Sequence, residues 1–332
     1  MQALALYNQT VENIIDGWIA EKLNSKSGSK KTEKAYRDTI TSFRARLQHG
    51  GIDLDSDDVQ TIKQVAEIWA GTRSLNIERK PRHTGKVSPS TYNQRLAILS
   101  SFYTYVQEQM SQQGNTEYIN PIKLIKKRKV QAYADAAPLD VDVLSDQLLD
   151  IDRNTTQGKR DYALIAIGLL TGRRAGELVS LRMQHVKFSG KKITLHFDHC
   201  KGGKKKRDTL DSDTASVFLE YLHAVYGADL FKVDNDAPVW VSLSPRNKGQ
   251  AISTYTLADI CEKHLGISKA HALRHTFAVE SEKAGAPISE ISARLGHSSE
   301  KITGTYLKQA RSADNPYAGK LAARFGIGAK KS

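Results

Sequence analysis

The stretch that most constrains this chain covers residues 268–309, SKAHALRHTFAVESEKAGAPISEISARLGHSSEKITGTYLKQ. It holds His271 and Arg274 three positions apart, then His297, then Tyr306 nine residues further on. Residues at i and i+3 share a helical face, so His271 and Arg274 are expected to address one spot. A guanidinium fork matches phosphate oxygens, and an activated phenol is an oxygen nucleophile. Two imidazoles, one fork and one phenol in so short a span therefore suit a phosphate site. Taken singly, each is an ordinary core or surface side chain; the ordered spacing carries the reading.

Local signals divide this stretch into elements. Ser268 is expected to cap a helix carrying His271 and Arg274, Gly285 to end it, and Pro287 to restart the chain as a short helix to Leu295. Ser298 or Ser299 would cap the segment bearing Tyr306. Its interior Gly304 weakens a helix by up to about 1 kcal/mol relative to Ala, so that segment is expected to be mobile.

Upstream, Tyr162, Ile165, Ala166, Leu169 and Leu170 mark an amphipathic helix that stops at Thr171-Gly172, with Gly suited to a helix end. Arg173, Arg174 and Glu177 follow, and either arginine can be the one that points inward. Residues 191–210 read as a β-hairpin, because Ile193, Leu195 and Phe197 alternate with Lys192, Thr194 and His196. Gly202-Gly203 supplies its turn, and Lys201 and Lys204 sit at the tip. Further elements are expected as a third strand at 238–243 and helices at about 213–226 and 254–264. A final amphipathic helix, with Leu321, Ala322 and Phe325, starts at Asn315-Pro316.

The first 130 residues read as helical throughout. Tyr36, Ile40, Phe43 and Leu47 recur at helical spacing, as do Val59, Ile62, Val65, Ala66 and Trp69, and again Tyr92, Leu96, Leu99, Tyr103 and Val106. Their aromatics are expected in a core. Asp57-Asp58 and Ser88-Pro89 suit helix starts. Residues 25–31, SKSGSKK, read as a flexible basic connector, and 72–87 as an exposed loop. Arg73, Arg79, Lys80, Arg82 and Lys86 of that loop could track a nucleic-acid backbone. Residues 123–140 open with five Lys or Arg within 123–129 (Lys123, Lys126, Lys127, Arg128 and Lys129) and reach Pro138, as a basic linker would.

Composition narrows the class. At 332 residues the chain is long enough for two domains, and 39% hydrophobic residues allow packed cores. Mean hydropathy is −0.47. No run of about eighteen apolar residues signals a membrane span, and no basic region precedes the short apolar stretch at the N-terminus as in a secretory signal. A net charge of +13 favours a polyanionic partner, since Lys and Arg neutralise phosphates and release counterions. Cys200 and Cys261 have no ligand-like spacing, which argues against structural zinc and for free thiols in a reducing cytosol.

The 268–309 stretch resembles the active-site segment of the tyrosine recombinases, the phage-integrase family: His271-Ala-Leu-Arg274, then Leu295-Gly296-His297, then Tyr306. Thr171-Gly172-Arg173-Arg174-Ala175-Gly176-Glu177 resembles the family's first arginine motif, placing Arg174 at the catalytic arginine and Arg173 where an apolar residue is usual. The resemblance implies a catalytic set of Arg174, Lys201, His271, Arg274, His297 and Tyr306, with Glu177 in support and Lys204 as the reserve hairpin lysine. It implies a mainly α fold with a small β-sheet. A helical core-binding domain over 1–130, a linker over 131–145 and a mixed α/β catalytic domain over 146–332 would close as a C-shaped clamp on DNA. The implied reaction is site-specific cleavage and rejoining of duplex DNA through a 3′-phosphotyrosine, without ATP, cofactor or metal. The implied assembly is a tetramer on two duplexes, with the C-terminal helix docking on a neighbour or in cis. A type IB topoisomerase or telomere resolvase, or a non-catalytic DNA-binding protein, would share parts of this pattern.

Overall fold

Helical spacing of apolar residues governs most of the chain. The computed structural model describes residues 10–25, 30–72, 87–112, 114, 116–130, 138–190, 192–198, 200, 205–297, 299–301, 303–304 and 307. It is mainly helical with one three-stranded sheet, and it divides into two units, Met1–Gln131 and Ala132–Ser332. Among the described residues no helix is long and apolar enough to cross a membrane.

The first unit is built from α1 (Val11–Ser25), α2 (Lys30–His49), α3 (Val59–Gly71) and α4 (Pro89–Gln112), closed by a 3-10 turn at Pro121–Leu124. The expected caps are in place. The Asp58 carboxylate accepts from Thr61 N at 2.9 Å and Ser88 Oγ accepts from Thr91 N at 3.2 Å, each satisfying an amide at a helix start. The three apolar stripes meet in one core containing Ile40, Phe43, Leu47, Ile62, Ala66, Trp69, Tyr92, Leu96, Leu99, Tyr103 and Val106. Trp18 of α1 lies at its centre, stacked on Tyr36 at 5.2 Å and edge-on to Phe102 at 5.5 Å.

Two expectations for this unit need correction. The connector expected at 25–31 is shorter, because Ser25 ends α1 while Lys30 and Lys31 begin α2; lysine is a good helix former. The basic stretch after the 3-10 turn is held to α4. Asn93 Oδ1 accepts from Arg128 N at 2.9 Å and Asn93 Nδ2 donates to Arg128 O at 2.8 Å. The Arg128 guanidinium lies 3.8 Å over the Tyr92 ring, a cation–π geometry. Ile122 and Ile125 are buried beside it, while Lys126, Lys127, Arg128 and Lys129 are exposed.

The second unit begins with α5 (Val141–Leu149), capped by Asp140. Helix thus occupies part of the expected 131–145 linker, because Leu144 is taken into the core of this unit. Helix α6 (Thr156–Thr171) runs through the middle and packs against both α8 (Ser212–Tyr226) and α10 (His271–Lys283). That double contact shifts the buried face from the expected stripe. Ala163, Leu164, Ile165, Ile167 and Gly168 are buried, whereas Leu170 is 52% exposed. A Cβ at Gly168 would stand 2.9 Å from Leu273 Cδ1, so glycine lets α10 approach closely.

The short α7 (Ala175–Val179) leads to an antiparallel sheet in the order β1 (Val186–Ser189), β2 (Lys192–Phe197), β3 (Lys206–Thr209). Ile193, Leu195 and Phe197 face the core as the alternation predicts. The third strand is β1, ahead of the hairpin, and not 238–243. The latter run forms only isolated bridges, Arg182 with Pro238 and Val241 with Ala251. Its backbone bonds to scattered segments, Val239 N to Leu181 O and Ser242 N to Gln250 O, and a side chain adds two more: Tyr221 Oη donates to Val239 O and accepts from Val241 N, both at 3.0 Å. Helices α9 (Thr254–Leu265), α10 and α11 (Ile288–Leu295) follow. Ala270, not Ser268, occupies the N-cap of α10, without a side-chain cap. Cys200 and Cys261 are free and buried.

Candidate active site

The turn after α6 answers which arginine faces inward. Gly172 takes φ +60 as the left-handed cap, and a Cβ there would meet Phe277 Cδ1 at 2.4 Å, so only glycine fits. Arg173 turns into the core, where its Nε donates to Asp208 Oδ2 at 2.6 Å and its guanidinium lies 5.0 Å over the Phe197 ring. Arg174 is half-buried. Its Nη1 donates to Glu177 Oε1 and its amide to Glu177 Oε2, both at 3.0 Å. Glu177, three residues into the turn, thus caps the start of α7 and orients the Arg174 side chain.

Arg274 is buried on α10, only 1% exposed. Such a charge needs partners, and it finds them at two helix ends. Nη1 donates to Gly172 O at 2.8 Å and Nη2 to Leu295 O at 2.7 Å. Carbonyls that end a helix lack partners within it and carry the negative end of its dipole, so a cation suits both. Nη2 also donates to His297 Nε2 at 3.0 Å. An imidazole that accepts at Nε2 carries its proton on Nδ1, and His297 Nδ1 faces Thr303 Oγ1 at 2.8 Å. Gly296, in the left-handed conformation at φ +68, turns the chain so that His297 faces Arg274.

The electrostatics agree with that tautomer. Burial, then the charges of Arg274, Arg174 and His271, pull His297 down to about 4. His271 is lowered by burial, then by Arg274 and Arg174. His275, one turn on from His271 with ring centroids 5.2 Å apart, is pulled to about 4 by burial and then by His271, Arg274 and His297. Two arginines thus stand beside imidazoles that are neutral at pH 7. Cations beside neutral imidazoles suit an anion and a proton acceptor.

The structure therefore gathers Arg174, Glu177, His271, Arg274 and His297. Lys201, Lys204 and Tyr306 lie outside the described residues, as do the loop arginines and lysines Arg73, Arg79, Lys80, Arg82 and Lys86 and the final helix expected from Asn315. Among the described residues no group of three or more His, Cys, Asp or Glu is gathered to hold a metal ion. Sequence reasoning missed Asp208, Lys206 and Thr303. For the first two a signal existed: β3 pairs Asp208 with Leu195 and Lys206 with Phe197, so both charges share the face of buried apolar residues. A buried acid there calls for a cation.

Residues 139–312 match the model of the phage integrase family, rather more than half of the chain. The chain is similar to the tyrosine recombinase XerC of Staphylococcus carnosus (strain TM300), 23% identical over 280 residues covering 84% of this chain and 86% of that protein. It is 27% identical to the XerC of Herpetosiphon aurantiacus over 226 residues, 67% of this chain and 70% of that one. Among solved structures it is similar to XerH site-specific recombinase bound to palindromic difH substrate, with TM-score 0.62, 18% identity, and coverage of 96% of this chain and 90% of that one. It is also similar to a lambda integrase (75-356) dimer bound to a COC′ core site, with TM-score 0.61, 16% identity, and coverage of 92% and 98%.

Proposed function

This chain belongs to the phage integrase family and is a tyrosine-type recombinase that cleaves and rejoins DNA; we propose that its chemistry runs on Arg174, Lys201, His271, Arg274, His297 and Tyr306, with Glu177 holding Arg174. The observation that carries the assignment is the bond from buried Arg274 to a neutral His297, with Arg174 and His271 close enough to shift that imidazole.

In this reading Arg174 and Arg274 take the non-bridging oxygens of one phosphodiester, where planar forks stabilise the charge that develops at phosphorus. Tyr306 attacks phosphorus, its proton passing to neutral His271, and leaves a 3′-phosphotyrosine. The phenol's ordinary pKa is about 10, and neighbouring cations favour its ionised form. Lys201 protonates the departing 5′ oxygen. His297, held beside Arg274, lies next to the phosphate seated between the arginines and hydrogen-bonds it. The phosphotyrosine conserves the bond energy, and the reverse attack by a 5′ hydroxyl reseals a strand without ATP.

The first unit, with Lys126, Lys127, Arg128 and Lys129 exposed and the 72–87 loop, holds the duplex electrostatically. Two duplexes brought together by four protomers, linked through the final helix, exchange strands in the cytoplasm. The test is covalent trapping on a duplex nicked beside the scissile phosphate. A protein–DNA adduct is expected with the parent chain and none with Tyr306→Phe. An adduct of undiminished yield in that variant rejects Tyr306 as the nucleophile.

A further inference from the structure

The end of α11 is held by more cations than the proposed chemistry uses. Three successive carbonyls, Ala293, Arg294 and Leu295, each accept from a basic side chain of a different segment. Lys206 Nζ on β3 reaches Ala293 O at 2.6 Å, Arg173 Nη1 in the α6–α7 turn reaches Arg294 O at 3.2 Å, and Arg274 Nη2 on α10 reaches Leu295 O at 2.7 Å. Terminal helix carbonyls attract cations, but only Arg274 belongs to the site above. Arg173 is buried and pairs at 2.6 Å with buried Asp208 of β3. The Lys206 stem crosses Gly296, where a Cβ would stand 3.4 Å from its Cε.

These contacts converge on the last turn of α11, which leads through Gly296 to His297. They join three segments: the turn that carries Arg174, strand β3, and the helix end that presents His297. Arg173 stands where the family usually has an apolar residue, and Asp208 lies on the inward face of β3. Buried Arg173 thus has its counter-ion in Asp208, which half-exposed Arg294 also approaches at 3.9 Å.

Building on the recombinase reading, we propose that Arg173, with Asp208 as counter-ion and Lys206 beside it, is a positioning residue. It locks the end of α11 so that His297 meets Arg274 in one orientation and one tautomer. A misplaced end would leave DNA binding intact and slow the cleavage step.

The test uses the full chain with Arg173→Met, Lys206→Met and the double change Arg173→Met with Asp208→Leu, which strands no buried charge. Measurements are adduct formation on the nicked duplex, affinity for that duplex, and imidazole 15N resonances of the DNA-free protein. Misplacement of a catalytic group by about 1 Å can lower a rate about a hundredfold. Arg173→Met is expected to lose between about tenfold and a hundredfold in adduct rate, and Lys206→Met less, with duplex affinity unchanged. His297 is expected to pass from a single Nδ1–H tautomer to a mixture. The double variant regains the parent's melting temperature yet stays slow. A double variant as fast as the parent, or His297 resonances unmoved in all three variants, overturns the proposal. If Arg173→Met does not fold, the other two variants decide. If the parent itself forms no adduct, the recombinase reading fails, while the imidazole resonances still judge the positioning role.

Discussion

The two units solve opposite packing problems. Among the described residues, the buried polar side chains of the first unit are Thr39 and Asn120, both neutral. Its core is aromatic and aliphatic, centred on Trp18, Phe43, Phe102 and Tyr103. The second unit buries Arg160, Asp161, Arg173, Glu177, Asp208 and Arg274. Burying a charge is unfavourable unless partners replace water, and here each has them. Arg160 pairs with Asp161, Arg173 with Asp208, and Glu177 with Arg174, while Arg274 bonds to carbonyls and His297. The difference teaches that the core of the first unit is held by shape, whereas the second adds to an equally extensive apolar core a set of paired charges around the proposed site.

That contrast can be broken by matched deletions. Arg274→Ala leaves the carbonyls of Gly172 and Leu295 unpaired, at about 1–3 kcal/mol each. It should also lower adduct formation by at least about a hundredfold, the scale seen when an oxyanion donor is removed. Trp18→Ala should destabilise the first unit by about 3–5 kcal/mol through its cavity, with no change in the pH dependence of melting. Denaturant unfolding of both variants, followed at several pH values, checks the pair. If Trp18→Ala altered the pH dependence as strongly as Arg274→Ala, the division between shape and electrostatics would be wrong.

Acid should act on the second unit selectively. His275 and His297 are pulled to about 4 in the fold, below the ordinary value of about 6.5. The unfolded chain therefore binds more protons between these values, and stability falls as pH drops from about 6.5 toward 4. After discounting for partial water access, the loss is on the order of 1–3 kcal/mol. Hydrogen exchange resolved by residue should show α10 and α11 loosening first, with α4 unchanged. Equal loosening of both units across that window would contradict the expectation.

The smallest effect sharpens the comparison from the other side. Arg128 lies over Tyr92 at the surface of the first unit, and Arg128→Ala should cost about 0.5–1 kcal/mol of stability. If its charge also meets phosphate, the same change lowers the salt dependence of duplex binding by about one unit of slope. Binding titrations at several ionic strengths separate the two contributions.

Sequence order alone was sufficient for α2, α3 and α4 of the first unit, because period and caps are local properties, though it singled out no stripe in α1. Asp58 and Ser88 stand where their helices begin, and the stripes through Ile40, Ile62 and Leu96 point inward. The same logic placed α6 and its end but not its buried face, which is enclosed on two sides, and it failed for 238–243, whose backbone partners include the scattered Leu181, Gln250 and Tyr221. The spacing of His271, Arg274 and His297 was legible too, as was the motif around Arg174. What no local pattern could give was the division of labour between Arg173 and Arg174. That depends on Asp208, 35 positions from Arg173, being carried to it by a strand. Spacing along the chain determines which side chains share a face of one element. Only folding decides which of them is desolvated, since burial and the nearest opposite charge are properties of segments brought together from afar.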